Sequence, residues 1–230
     1  MDAPTLTRPD SALANPALTV SLAFVAGFVD ACTFLAFSGF FVAQVTGSFV
    51  VAGSELVASN SLFALKVVAI PVFVLAGVVT TCIARCWACK TRQALVVALC
   101  LEAVLLSGLT VSGVDGSGAL AVAPALFGLA AMGVQSAAVH LLVPGHASTN
   151  VMTTNITQLS IDLTDSVLGR RLAPGLVATA TVIVGFLAGV TAGGLAFRAM
   201  GLSCLAIAVA IILAVALVEA RLVRTGDNLA

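Results

Sequence analysis

Apolar residues run through this chain in blocks about twenty residues long, too continuous for the single apolar stripe of a helix on a soluble domain. About 20 such residues are enough to cross a bilayer as a helix. Blocks of that length cover Ala17–Ser38, Leu62–Arg85, Gln93–Gly113, Ala119–Val143, Pro174–Phe197 and Leu202–Val223. In two places the pattern breaks. Phe40 to Ser59 is apolar but interrupted by Gln44, Thr46, Gly47 and Ser48, and His146 to Gly169 is interrupted by Ser148, Thr149, Asn150, Thr153, Thr154 and Asn155. The second is too polar to face lipid, so it is expected to be buried in protein.

The two interrupted stretches belong to an internal repeat. Gly27-Phe-Val-Asp30-Ala31 aligns with Gly133-Val-Gln-Ser136-Ala137, Gly39 with Gly145, and Thr46-Gly47 with Thr153-Thr154 after one inserted residue. Glu55-Leu56 then falls on Asp162-Leu163, and Val74-Leu-Ala-Gly77 on Phe186-Leu-Ala-Gly189. Repeats of this extent are characteristic of transporter and channel folds whose site lies between the halves.

Basic residues choose between topologies, because cytoplasmic loops are enriched in Lys and Arg. If neither interrupted stretch crosses and the N-terminus is inside, Arg8, Arg85, Lys90, Arg92, Arg170, Arg171, Arg221 and Arg224 are cytoplasmic and only Lys66 and Arg198 are outside. If both cross, the split falls to six against four. The fold expected is therefore an all-α integral membrane protein with six full transmembrane helices and two broken or re-entrant segments. Three spans per half is an odd number, so the repeat is an inverted 3+3. An eight-span parallel repeat is the alternative. The organisation expected is a disordered tail over 1–16 without the marks of a signal peptide, repeats over 17–113 and 118–224, and a short tail over 225–230.

Composition agrees: 60% of residues are hydrophobic, 9% are charged and the mean hydropathy is +1.18. A soluble domain carries about 25% charged residues. With ten basic and ten acidic residues the formal charge is zero, which favours no nucleic-acid partner. The partners expected are the lipid bilayer and a small polar solute. Gly185, Gly189 and Gly193 form a small-residue ridge suited to close helix approach, either within the chain or in a homodimer.

Few residues carry chemistry. Asp30 lies in the middle of the first block, where an ionised carboxylate costs about 2.5–3.5 kcal/mol. It is expected to face the bundle interior, as an ion-coupling site or as a hydrogen-bonded tie between helices. Thr46, Ser48, Gln135, Asn150, Thr153 and Asn155 are the expected solute-binding set; the same side chains could instead cap broken helices. Asn155, Gln158, Asp162 and Asp165 share one helix face, opposite Ile156, Leu159 and Leu163. Asp162 and its repeat counterpart Glu55 are further ion-coupling candidates, with an interfacial helix as the plain alternative, and Glu102 is a secondary one.

Cys86 and Cys89 form a lone CxxC, and His140 and His146 flank a turn without metal-ligand spacing, so no metal and no cofactor is expected. No nucleophile, base and orienting group occur together, and the chain is not expected to be an enzyme.

The segments Gly27-Phe-Val-Asp30-Ala31, Phe34-Leu35 and Val45-Thr46-Gly47-Ser48, with Gly133-Val-Gln135-Ser-Ala137 and Val151-Met152-Thr153-Thr154-Asn155, resemble the YoaK-like family of bacterial membrane proteins, described by a domain of unknown function. The resemblance spans the chain after its N-terminal tail. Ser48 stands where the family's first pattern has Asn, and Thr154 where the second has Gly. The resemblance implies a multi-pass protein of the bacterial inner membrane and no particular substrate. The function expected is a transporter or facilitator of a small polar or anionic solute, with proton coupling at Asp30. A passive channel or a non-transporting scaffold is the alternative.

Overall fold

The computed structural model describes residues 15–37, 39–44, 47, 50, 53, 63–87, 90–115, 122–143, 147–169, 172–173 and 175–227. Among these, all regular structure is helical. The helices are α1 (Pro16–Ala36), α2 (Phe63–Cys86), α3 (Thr91–Asp115), α4 (Val122–Leu142), α5 (Met152–Gly169), α6 (Leu176–Met200) and α7 (Leu205–Asp227), with a 3₁₀ turn over Gly201–Cys204 joining the last two. Pro16–Ala36, Val68–Cys86, Thr91–Gly113, Val122–Leu142 and the run Leu176–Thr225 are each long and apolar enough to cross a membrane. The chain is a multi-pass membrane protein. At about 1.5 Å per residue, the 21 residues of α1 reach about 32 Å, close to the thickness of a bilayer's hydrocarbon core.

Local signals set the helix ends. Asn15 caps α1, its Oδ1 accepting the Ala17 N–H at 3.0 Å, and Pro16 occupies the first turn, where no N–H is needed. Gly201, at φ +59°, closes α6 in a conformation that residues with a Cβ rarely adopt.

The most extensive contact joins α1 to α6, helices at opposite ends of the sequence. Gly185 meets Val20, Gly189 meets the Phe24 carbonyl and Gly193 the Phe28 carbonyl, while Gly27 of α1 meets the Phe186 carbonyl. A methyl group at any of the last three would overlap main chain of the other helix. The glycine ridge is therefore used inside the chain, and its residue order makes α1 and α6 parallel.

Other pairs fix the remaining directions. Cys204, just before α7, touches Cys32 near the end of α1, whereas Glu219, late in α7, shares a groove with Asn15 and Leu18. Thus α7 runs against α1, and Leu176–Thr225 contains two helices of opposite direction. Arg92 at the start of α3 pairs with Glu219, and Gly113 near its end packs on Leu202, so α3 is antiparallel to α7 and parallel to α1. Gly128, early in α4, packs on Val42, just beyond the end of α1, whereas Gln135 further along α4 reaches Leu22. Hence α4 runs against α1. Leu95, Leu99, Leu106 and Leu109 of α3, Leu129 and Met132 of α4 and Ile212 of α7 form the buried core with Leu22 and Phe28.

α5 is different. Its buried residues are Asn155 and Asp162, while Leu163, Val167 and Leu168 are 54%, 69% and 78% exposed. The shared polar face is thus split, with Gln158 and Asp165 exposed. Thr153, Thr154, Thr157, Ser160 and Thr164 are exposed as well, so the outer face of α5 is mixed, and within this helix the expected burial in protein holds for Asn155 and Asp162 alone.

Candidate functional site

Two polar side chains in the long helices hold the segments that follow them. On α1, the Asp30 Oδ1 accepts the Val42 N–H at 2.9 Å and the Ala43 N–H at 2.7 Å. The chain after Ala36 therefore folds back beside its own helix, and two main-chain donors in non-helical backbone find an acceptor away from water. Gly39, at φ +89°, allows the return, and its N–H is donated to the Phe34 carbonyl at 2.9 Å. The other carboxylate oxygen, Oδ2, is buried and makes no hydrogen bond among the described residues. The Gln44 side chain is a hydrogen-bonding neighbour of the same carboxylate.

On α4, the Gln135 Nε2 donates to the Leu22 carbonyl of α1 at 3.0 Å and to the Thr149 Oγ1 at 3.1 Å, with the Asn150 Oδ1 at 3.4 Å. The Thr149 hydroxyl donates to the Asn150 Oδ1 at 2.9 Å, and the Asn150 Nδ2 donates back to the Met132 carbonyl of α4 at 3.3 Å. All three side chains are buried. Ser148 turns the chain into α5 by accepting the Val151 N–H at 3.1 Å, and its carbonyl accepts the Asn155 Nδ2 at 2.6 Å. These bonds meet the needs of a polar segment inside an apolar bundle.

Gln135, Asn150 and Asn155 of the expected binding set are thus brought into one region, and Asp30, which aligns with Ser136 beside Gln135, ties down the segment after α1 in the first half. Thr153 is exposed on the first turn of α5. Thr46, Ser48 and Glu55 lie outside the described residues, as does His146. Asp162 is buried, its Oδ1 accepting the Gln158 Nε2 at 2.8 Å, and its Oδ2 has no hydrogen-bond partner among the described residues. Asp162 faces Gly175, where the chain enters α6.

Further buried polar groups complete the interior. Glu102 is fully buried in α3, and neither carboxylate oxygen has a hydrogen-bond partner among the described residues. Glu219 is 3% exposed and faces Arg92 at 3.2 Å, an ion pair at the bundle end where α1 and α3 begin; Arg92 thus meets Glu219. The thiols of Cys32 and Cys204 are buried 3.4 Å apart, and the Cys32 Sγ lies 3.5 Å from the Gly193 carbonyl. Among the described residues no group of three or more His, Cys, Asp or Glu side chains could hold a metal ion.

Two further residues, Thr149 and Glu219, take part in these contacts without standing among the expected site residues. Thr149 was visible in the interruption, and only the packing of α4 reveals that it is the hydroxyl Gln135 reaches. Glu219 was signalled by an acid inside the apolar block that ends at Val223.

A groove of about 470 Å³ opens beside Asp30 between α1, the returning segment and α6, with Phe34, Phe41, Gln44, Phe186 and Val190 in its wall. The same Gly27–Asp30 segment lies within a stretch that matches a known protein family. Residues 18–218 match the family described as "Protein of unknown function (DUF1275)". The chain belongs to this family. No curated protein and no solved structure matches the chain. The DUF1275 match covers part or all of each helix described above, includes the Asp30 and Gln135 tethers, and agrees with the resemblance to YoaK-like proteins.

Proposed function

We propose that this DUF1275 protein is a transporter or facilitator of a small polar solute in the bacterial inner membrane, with six crossings arranged as two inverted repeats. The solute path runs past the segments tied down by Asp30 and Gln135. The observation that carries this reading is the pair of tethers: in each half a polar side chain two-thirds of the way along a long helix holds the non-helical segment 12 to 15 residues later. Breaking helices inside a bilayer is costly, and such breaks are tolerated where protein or a water-filled cavity surrounds them.

Parity supports six crossings. α1 ends at one end of the bundle and α3 begins at the other, so one net crossing lies between them, and α2 supplies it. α4 ends at the bundle end where α6 begins, so α5 and its connections add none. Three crossings per half then place the second half upside down. The contact pattern has the matching symmetry: α1 packs on α6 as α4 packs on α2, and α7 packs on α1 as α3 packs on α4. The bundle end at which α1 begins carries Lys90, Arg92, Arg221 and Arg224, which favours cytoplasmic termini.

The side chains that line the tethers are an acid, amides and a hydroxyl, with no basic group among them, which suits a polar solute better than an anionic one. Uptake into proteoliposomes tests the proposal. Saturable uptake of a polar metabolite that is absent from protein-free liposomes and falls at least tenfold in Gln135→Leu supports it. No uptake of any solute by protein that retains its native unfolding transition overturns transport and favours a scaffold.

A further inference from the structure

The groove beside Asp30 contains one acidic group and several aromatic ones. Asp30 Oδ1 is occupied by two main-chain N–H groups, which leaves Oδ2 buried and without a hydrogen bond among the described residues. Phe34, Phe41 and Phe186 line the same groove, the first two packed with ring centroids 4.8 Å apart at an interplanar angle of 38°. Ring faces are electron-rich and attract cations.

We propose that this groove binds an organic cation with an apolar body, such as a substituted ammonium or phosphonium, that enters from the bilayer. The inference rests on the placement of the solute path beside Asp30 and adds a second ligand there, distinct from the polar solute. At about 470 Å³ the groove is within the range of pockets that hold drug-sized ligands, about 300–1,000 Å³. Phe34, Leu35 and Leu187 of its wall are 41%, 51% and 57% exposed, so its mouth lies on the apolar outer surface of the bundle.

Other ligands fit less well. A bare metal cation such as calcium or magnesium takes six or more oxygen ligands, and the wall offers the Asp30 carboxylate and the Gln44 amide. An anion meets the carboxylate's charge unfavourably. A neutral solute offers the buried carboxyl no opposite charge. An organic cation satisfies the carboxylate with its charge and the rings with its body.

Two probes of the same shape and opposite charge decide the matter: tetraphenylphosphonium and tetraphenylborate, added to the purified full chain in detergent and followed by equilibrium dialysis against protein-free micelles. The expected result is saturable binding of one phosphonium per chain and no saturable binding of the borate. Asp30→Asn should weaken phosphonium binding at least tenfold while keeping the oxygen that accepts the Val42 and Ala43 N–H groups.

Gly194 also lines the groove, and a Cβ there meets nothing within 4 Å. Gly194→Leu should therefore block binding while the unfolding temperature stays near that of the wild type. Equal binding of the two ions, or phosphonium binding unchanged in both variants, overturns the inference. Phosphonium binding without flux of any solute would uphold the site and sink the transport reading. Flux of a polar solute without phosphonium binding would do the reverse.

Discussion

Gly27 and Gly133 occupy the same position in two different helix pairs. Gly27 of α1 lies against the Phe186 carbonyl of α6, and Gly133 of α4 lies against the Phe73 carbonyl of α2, 3.1 Å from where its Cβ would stand. Gly27 lets the neighbouring backbone approach to a distance no Cβ allows, and Gly133 to one that few Cβ atoms reach. With little hydrophobic drive between helices in lipid, such close packing is a main source of their association.

Replacing Gly189 with Leu should therefore destabilise the chain, because its Cβ would fall on the Phe24 carbonyl. Overpacking of this kind costs about 1–3 kcal/mol or more. Gly194→Ala, with nothing within 4 Å, serves as the control on the same helix. Thermal unfolding in detergent should show a drop of several degrees for Gly189→Leu and little change for Gly194→Ala; equal behaviour would contradict the α1–α6 packing.

Asp30→Ala and Asp30→Asn should separate in stability. Alanine leaves the Val42 and Ala43 N–H groups without their acceptor, at about 1–3 kcal/mol for each buried unpaired donor. Asparagine retains one acceptor oxygen and should unfold near the wild-type temperature. A matched loss in both would mean that the charge, and not the acceptor, holds the returning segment.

Gln135→Leu removes the donor shared by Leu22, Thr149 and Asn150. The expected loss is about 1–3 kcal/mol, accompanied by faster hydrogen exchange at Val151, whose N–H is held by Ser148 in the same turn. Unchanged exchange there would show that the entry into α5 stands without the glutamine.

Arg92→Met should destabilise by leaving the buried Glu219 carboxylate without its cation. Arg92 is 24% exposed, so the loss should fall below the about 3–5 kcal/mol seen when a fully buried pair is broken. Adding Glu219→Gln should recover part of it. A double variant that unfolds at the same temperature as Arg92→Met alone would argue against coupling between the two side chains.

Much of the helical frame was legible in the sequence because blocks of twenty apolar residues leave little choice. The expected spans begin and end within a few residues of the described helices, as with Gln93–Gly113 against Thr91–Asp115. Asp30 stood out for the same reason, as a charge where none is free of cost. What the sequence could not give was partnership.

The donors that meet Asp30 come from Val42 and Ala43, whose side chains announce nothing, because the bonds are made by main chain. Arg92 had an acid on its own helix in Glu102, yet meets Glu219 from α7 because the antiparallel packing of the two helices sets the levels. α5 was read as amphipathic with its acids on one face. That face is split in three dimensions, Asp162 turning inward and Asp165 outward, which spacing along one helix does not reveal.

The α1–α6 contact also has a consequence for synthesis. It joins the first helix to one that begins 160 residues later, at Leu176, so it is among the most non-local contacts the chain makes. While the ribosome is still making the first repeat, the face of α1 that will receive the glycines has only lipid against it. A nascent chain arrested before residue 176 thus contains the Asp30 tether in full and lacks the helix that closes over its groove.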